Sequence, residues 1–212
     1  MGFYCKSNYL ILNIIFDFDG TLIDSKERLF KLFSFLVSES ELNFEDYWTL
    51  KKQGIGHAEI LEKQFNYQSN AIQEFQIKWH QEIEKNYWIN YDTPIFGVED
   101  KLISLFENHQ LHLVTARQSY EKAVKQIKAL RWDRYFKSIL VTKQEIEKSQ
   151  LILENIEIKK EDWILGDTGK DILTGKTLQI NTAAVLTGFL SEEKLKSYNP
   201  DIIIDSVANF MI

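Results

Sequence analysis

The sequence predicts an α/β protein, a Rossmann-like parallel sheet with helices on both faces, interrupted after its first strand by a small all-helical insert. Three observations predict it. Short apolar runs alternate with helical periodicities from about residue 98 onward, the pattern of right-handed βαβ units. The first apolar run, Leu10 to Phe16, is continuous, as a strand buried on both faces should be. Between Ser25 and about Asn90 the pattern is helical, with no convincing strand. Residues 1–22 and 93–212 are therefore assigned to the core and 23–92 to the insert.

The elements follow in order. After the first strand, Leu29, Leu32, Phe33 and Leu36 fall on one helical face. Further helices are expected over Phe44–Lys52, His57–Phe65 and Ala71–Tyr87, with Gly54 and Gly56 separating the first two of these. At Asp92-Thr93-Pro94 the pattern changes. A helix carrying Leu102, Leu105 and Phe106 precedes a strand at Leu111–Thr115. A helix at Ser119–Leu130 leads to a strand at Ser138–Val141, and one at Lys148–Asn155 leads to Trp163–Leu165. A helix from about Lys170, a strand at Ala183–Leu186, a helix near Ser191–Ser197 and a strand at Ile202–Ile204 complete the chain.

Composition narrows the function classes. The 212 residues are 44% hydrophobic and 26% charged, the make-up of a globular domain rather than a disordered one. A net charge of −6 argues against a general nucleic-acid surface. The single cysteine, Cys5, excludes an internal disulfide framework and fits a reducing compartment. The run from Tyr9 to Phe16 falls far short of the roughly 20 residues a membrane span needs. Lys6 occupies the place where a myristoylation signal beginning at Met1-Gly2 wants Ser or Thr. A cytoplasmic protein, monomer or homodimer, with no membrane and no nucleic-acid partner, is expected.

Three strand ends carry chemistry. At the first, Phe16-Asp17-Phe18-Asp19-Gly20-Thr21, two carboxylates two residues apart can face one site at the carboxyl edge of the sheet. Gly20 lets the chain turn and approach an anion closely. Neighbouring carboxylates repel, so they need a cation or a shared proton; an Asp-Gly turn with a solvated cap is the plainer alternative. At the second, Thr115, Ala116 and Arg117 offer a hydroxyl and backbone N–H groups to a phosphate oxygen, although a strand-ending Thr also serves as a helix cap. At the third, Leu165-Gly166-Asp167-Thr168-Gly169-Lys170-Asp171, two carboxylates four residues apart can serve a hard cation. Gly175-Lys176-Thr177 imitates a phosphate loop, but Lys170 stands where its first glycine belongs, and the triplet lies in a helical stretch.

Order and spacing together resemble the haloacid dehalogenase-like hydrolase superfamily over nearly the whole chain. Its first motif matches Asp17 to Thr21, its second Thr115, and its fourth Gly166, Asp167 and Asp171, with the insert where that superfamily carries its first type of cap. The resemblance implies that Asp17 is the nucleophile forming an aspartyl phosphate and Asp19 the general acid and base. It implies Mg²⁺ held by Asp17, the Asp19 main-chain carbonyl and Asp167, with Asp171 orienting the site. Gly20, Thr21, Thr115, Ala116 and Arg117 would bind the transferring group; Arg117 can equally pair with an acid. The phosphate-neutralising lysine is ambiguous. Distance back from Asp167 favours Lys143; placement at a helix start favours Lys148, which we prefer. In the cap, the basic turn with Gly54 and His57 is either a substrate loop or a plain helix stop.

The activity this resemblance implies is a Mg²⁺-dependent phosphatase acting on a small phosphorylated metabolite. A phosphomutase on a sugar phosphate is the second expectation, and a non-catalytic binding or regulatory module the third. The presence of Asp19 disfavours the dehalogenase and phosphonatase branches, which lack that carboxylate.

Overall fold

The computed structural model describes residues 10–212. Cys5, the Met1-Gly2 reading and the first residue of the Tyr9–Phe16 run lie outside the described residues. Among the described residues eight strands form in chain order: β1 (Asn13–Phe16), β2 (Ile23–Asp24), β3 (Thr93–Pro94), β4 (Gln110–Thr115), β5 (Phe136–Val141), β6 (Trp163–Gly166), β7 (Asn181–Val185) and β8 (Ile202–Ile204). Six make one sheet in the order β5-β4-β1-β6-β7-β8, with every pairing parallel. The chain steps from β1 outward through β4 to β5, then returns to lay β6 on the other side of β1. This reversal opens a crevice at the carboxyl ends of β1 and β6, the usual ligand position in an open α/β sheet.

β1 is central and wholly buried, which explains its uninterrupted apolar run. Its side chains still alternate between layers. Ile14 and Phe16 pack with Val98, Leu102 and Leu105 on one face, whereas Ile15 packs with Val114, Ile152 and Ile164 on the other. Each fully buried side chain of this size contributes about 1.5–3 kcal/mol.

Five helices lie between β2 and β3: α1 (Lys26–Leu36), α2 (Phe44–Lys52), α3 (His57–Phe65), α4 (Ser69–Glu82) and α5 (Asn86–Ile89). They close over their own apolar centre of Phe33, Tyr47, Trp48, Ile60, Leu61 and Phe75. The expected single helix over Ala71–Tyr87 ends at Glu82, and α5 follows separately. Five helices flank the sheet: α6 (Val98–Phe106), α7 (Tyr120–Ala129), α8 (Lys148–Asn155), α9 (Gly169–Leu178) and α10 (Glu192–Lys196).

Two further features differ from the expectation. The first strand begins at Asn13, not Leu10. β2 and β3 also pair antiparallel, Ile23 with Pro94 and Asp24 with Thr93, at the two ends of the helical segment. Gly175 belongs to α9, where an added Cβ would come within 2.3 Å of Thr182 and 2.6 Å of Ile164, so this glycine lets helix and sheet approach. Among the described residues, no helix is long and apolar enough to cross a membrane.

Candidate active site

The two acidic strand ends, after β1 and after β6, converge. Carboxylate oxygens of Asp17, Asp167 and Asp171 lie within 4.8 Å of one another, all buried. Asp17 directly follows β1, Asp167 directly follows β6, and Asp171 sits in the first turn of α9. Glycines make this packing possible. A Cβ on Gly166 would lie 2.2 Å from Asp171 Cγ, and one on Gly188 2.0 Å from Asp167 Oδ2. Gly20 turns with φ +81°, and a Cβ there would lie 2.5 Å from the same Asp167 oxygen.

Lys148, at the start of α8, reaches into the cluster. Its Nζ donates to Asp17 Oδ1 and to Asp171 Oδ1, each at 2.6 Å. Asp171 Oδ2 accepts from the Thr168 hydroxyl at 2.7 Å and the Thr168 N–H at 3.2 Å, so both its oxygens are engaged. Asp17 Oδ2 and Asp167 Oδ1 meet only the Thr21 hydroxyl, each at 3.4 Å. Asp167 Oδ2 accepts from the Phe189 N–H at 2.9 Å. Of the two lysines weighed from sequence, Lys148 is the one at the cluster; Lys143 is exposed, in a left-handed turn with φ 54°.

The electrostatics follow from burial. Desolvation, reinforced by Asp171 and Asp19, pushes Asp17 up to about 7 despite Lys148. Asp167 is raised well above the usual carboxylate range by burial and by the nearby Asp17 and Asp171. Burial opposes the Lys148 charge, but Asp17 and Asp171 outweigh it and raise its pKa. Three carboxylates against one ammonium leave an uncompensated negative charge in a buried place. Asp17 and Asp167, whose facing oxygens lack strong partners, fit a divalent oxygen-loving cation such as Mg²⁺.

Asp19 faces a different set of groups. Arg117 grips it with two bonds, Nε to Oδ2 and Nη2 to Oδ1, both at 2.8 Å, and Arg28 of α1 adds an ion pair to Oδ1. Burial disfavours the Asp19 charge, but Arg117 and Arg28 outweigh it and hold the carboxyl well below the usual carboxylate range. Asp92, just before β3, bonds Arg117 Nη2 at 3.2 Å and lies 3.0 Å from Arg28 Nε. Burial, with Asp19 nearby, raises Asp92 to about 6 against the pull of Arg28.

Asp17, Asp19, Thr115, Ala116, Arg117, Lys148, Asp167 and Asp171 line one cavity of about 260 Å³. The helical segment closes it with Arg28, Leu29, Trp79, Ile83 and Glu84, and the loop after β7 adds Phe189. Glu84 accepts from the backbone N–H of Gln118 (2.5 Å) and Ser119 (3.0 Å), tying this segment to the loop after β4.

Gly54 and His57 lie elsewhere. His57 is sandwiched among Phe33, Tyr47 and Trp79, with Nε2 2.7 Å from the Tyr47 hydroxyl, and burial lowers its pKa. Gly54 faces Lys194, and its turn docks on the core where Ser191 N–H donates to Lys52 C=O at 2.9 Å. Nearby, Trp48 stacks on Phe189 with centroids 5.5 Å apart. Neither residue is in the cavity wall, so the turn meets the core rather than the carboxylates.

Sequence reasoning missed Arg28, Asp92, Glu84 and Phe189. Arg28 had a signal. It stands four residues before Leu32, on the apolar face of α1, where the periodicity calls for a hydrophobic residue.

Comparison with known proteins agrees with this geometry. The chain is 25% identical over 213 residues to the pyrophosphatase PpaX of Oceanobacillus iheyensis, with 95% of each chain covered. It superposes on a haloacid dehalogenase-like family protein, SP0104 from Streptococcus pneumoniae, with TM-score 0.75 and 25% identity, covering 93% of this chain and 95% of that one. A predicted phosphoglycolate phosphatase from Haemophilus somnus shares the fold with TM-score 0.71 at 16% identity, covering 94% and 96%. The family model for haloacid dehalogenase-like hydrolases matches residues 14–185, from β1 through β7 and so across all three strand ends that carry the site, and the chain belongs to that family.

Proposed function

We propose that the protein is a Mg²⁺-dependent phosphatase that hydrolyses a small phosphorylated metabolite through an aspartyl phosphate on Asp17. The observation that carries this reading is the meeting of Asp17, Asp167 and Asp171 around Lys148 in one cavity. Asp17, Asp167 and the Asp19 carbonyl would hold the metal, which supplies screening of the repulsion between a carboxylate and a phosphate dianion.

In the first step an Asp17 oxygen forms a bond to phosphorus while the bond to the leaving oxygen breaks. Asp19 gives that oxygen its proton, then takes one from the water that attacks the aspartyl phosphate. Lys148 offsets charge on the transferring group, and Asp171 holds Lys148 in place. Thr115 and the N–H groups of Ala116 and Arg117 support the phosphoryl oxygens. Acid–base assistance of this kind is worth about 10²–10⁴ in rate. Asp19 is ionised while the guanidiniums grip it, so it must first leave them and take up a proton from solvent before it can serve as the acid.

The name of the 25%-identical relative makes pyrophosphate the first substrate to try. The test is phosphate release from pyrophosphate and p-nitrophenyl phosphate with Mg²⁺, with and without EDTA. Turnover that EDTA abolishes, and that Asp17→Asn lowers by several orders of magnitude, is expected. Full activity in Asp17→Asn refutes the nucleophile, and turnover of neither compound nor of a panel of phosphorylated metabolites refutes the phosphatase. Isomerisation of a hexose monophosphate without phosphate release would replace hydrolysis by a mutase.

A further inference from the structure

We infer that Phe189 is a positioning residue for Asp167 and that Trp48 of the helical segment holds Phe189 in that role, so that Mg²⁺ and the docked helical segment favour one another. The inference rests on the metal of the phosphatase reading and adds to it the part of the molecule that sets the metal's affinity.

The loop after β7 is tied on two sides. Toward the core, the Phe189 N–H donates to Asp167 Oδ2 at 2.9 Å, and the Thr187 hydroxyl donates to the Gly20 carbonyl at 2.7 Å. Gly188 between them leaves no slack, since a Cβ there would lie 2.0 Å from Asp167 Oδ2. Toward the helical segment, Lys26 Nζ donates to the Thr187 carbonyl at 3.1 Å and the Ser191 N–H to the Lys52 carbonyl at 2.9 Å. The Trp48 and Phe189 rings stack, with centroids 5.5 Å and planes 22° apart. One short loop thus touches the turns after β1 and β6 and both α1 and α2.

Asp167 depends on this loop for its orientation. It is wholly buried, and among the described residues the Phe189 N–H is its one partner at an ordinary hydrogen-bond length. Its other oxygen, Oδ1, has only the Thr21 hydroxyl at 3.4 Å, the same hydroxyl that meets Asp17 Oδ2 at 3.4 Å. Fixing Oδ2 therefore keeps Oδ1 on the side shared with Asp17. Groups that orient a ligating side chain in this way change metal affinity by about 10–100-fold when lost.

Phe189 supplies a main-chain donor, so its side chain matters through what holds it, and that is the Trp48 ring. Trp48 is 3% exposed, yet its Nε1–H has no hydrogen-bond partner. A buried donor without a partner works against docking, because water would satisfy it if the segment lifted. The stack is therefore a contact that can open, and a ligand that favours the docked loop can tip it. By linkage, whatever factor docking adds to Mg²⁺ affinity, Mg²⁺ adds to docking.

The experiment uses the full chain. Calorimetry measures Mg²⁺ binding, and limited proteolysis of the helical segment, with and without Mg²⁺, measures docking. Trp48→Ala should weaken Mg²⁺ binding by about tenfold and shrink the protection that Mg²⁺ gives. Trp48→Phe, which keeps a ring to stack, should recover most of the affinity. Phe189→Leu keeps the N–H and removes the ring, so it tests the same stack from the core side and should resemble Trp48→Ala. Phe75→Leu loosens the interior of the helical segment, where its ring meets Phe33, His57 and Trp79. It should speed proteolysis yet leave Mg²⁺ affinity within roughly twofold. Unchanged affinity in both Trp48→Ala and Phe189→Leu, or an equal loss in Phe75→Leu, overturns the inference and leaves Trp48 a packing residue. A wild type that binds no Mg²⁺ defeats the metal-dependent reading and this inference with it, whereas firm wild-type binding that ignores the stack defeats the inference alone.

Discussion

Metal binding should be strongly coupled to protons. Asp17 is pushed up to about 7 in the metal-free protein, and Asp167 is raised as well. A cation bound to these oxygens must displace whatever proton they hold. With a pKa of about 7, proton competition at pH 5.5 weakens the apparent affinity by roughly thirtyfold, and at pH 8 it hardly matters. Asp167 acts in the same direction, so this is a minimum. Thirtyfold corresponds to about 2 kcal/mol, and for a chain of this size 1 kcal/mol moves Tm by roughly 2–4 °C. The stabilisation by a fixed Mg²⁺ concentration well above the dissociation constant should therefore be about 4–8 °C larger at pH 8 than at pH 5.5.

The sign for the metal-free protein is opposite. A carboxyl raised on folding contributes stability that is complete below its unfolded value of 3.8 and is lost as pH rises through about 7. The cluster therefore weakens the metal-free fold at neutral pH, and a bound Mg²⁺ would restore it. Thermal melts at both pH values, with Mg²⁺ or EDTA, read the effect. Calorimetry in two buffers of different ionisation enthalpy counts the protons released at pH 6. Affinity independent of pH, or binding that releases no proton, would refute the reasoning.

Other consequences can be tested together. Lys148→Met leaves Asp17 and Asp171 without their shared cation; phosphatase turnover should fall by at least a hundredfold, and the pH optimum should rise as Asp17 holds its proton longer. Gly188→Ala drives a methyl into Asp167 and should weaken Mg²⁺ binding by calorimetry at least tenfold, whereas Gly56→Ala, with nothing within 4 Å, should leave it unchanged. Phe189→Ala removes the stack on Trp48; intrinsic fluorescence should change, and limited proteolysis of the helical segment should accelerate. His112, held near pKa 4 by burial, costs stability as pH falls from 6.5 toward 4; His112→Gln should flatten acid melting curves in that window.

Much of this was legible in the sequence because the chemistry sits at strand ends. A buried parallel strand announces itself by a continuous apolar run, so Asp17, Thr115 and Asp167 could be placed at one edge before any coordinates. Lys148 was legible by the same logic, since a helix start after β5 points back at that edge. The missing parts depend on contacts distant in sequence. β2 and β3 have two residues each, too short for a periodic signal. The Glu84 carboxylate accepts from backbone N–H groups and Phe189 donates its own, and every residue has such a group, so no pairing of side chains marks either contact. The turn with Gly54 and His57 stayed open between two readings because a basic, glycine-broken turn has the same composition whether it meets a ligand or a neighbouring loop; here it lies against the loop after β7.

The short β2–β3 ladder has an architectural consequence. Entry and exit of the helical segment are neighbours, Asp24 opposite Thr93, so the chain leaves the core and rejoins it through a single doorway. A tight hairpin turn could bridge that doorway without shifting the register of any strand in the main sheet, and a lid borrowed from a relative could be spliced at the same two points. Such a graft would have to restore the contacts by which the helical segment holds the core, Arg28 on Asp19 and Glu84 on the loop after β4.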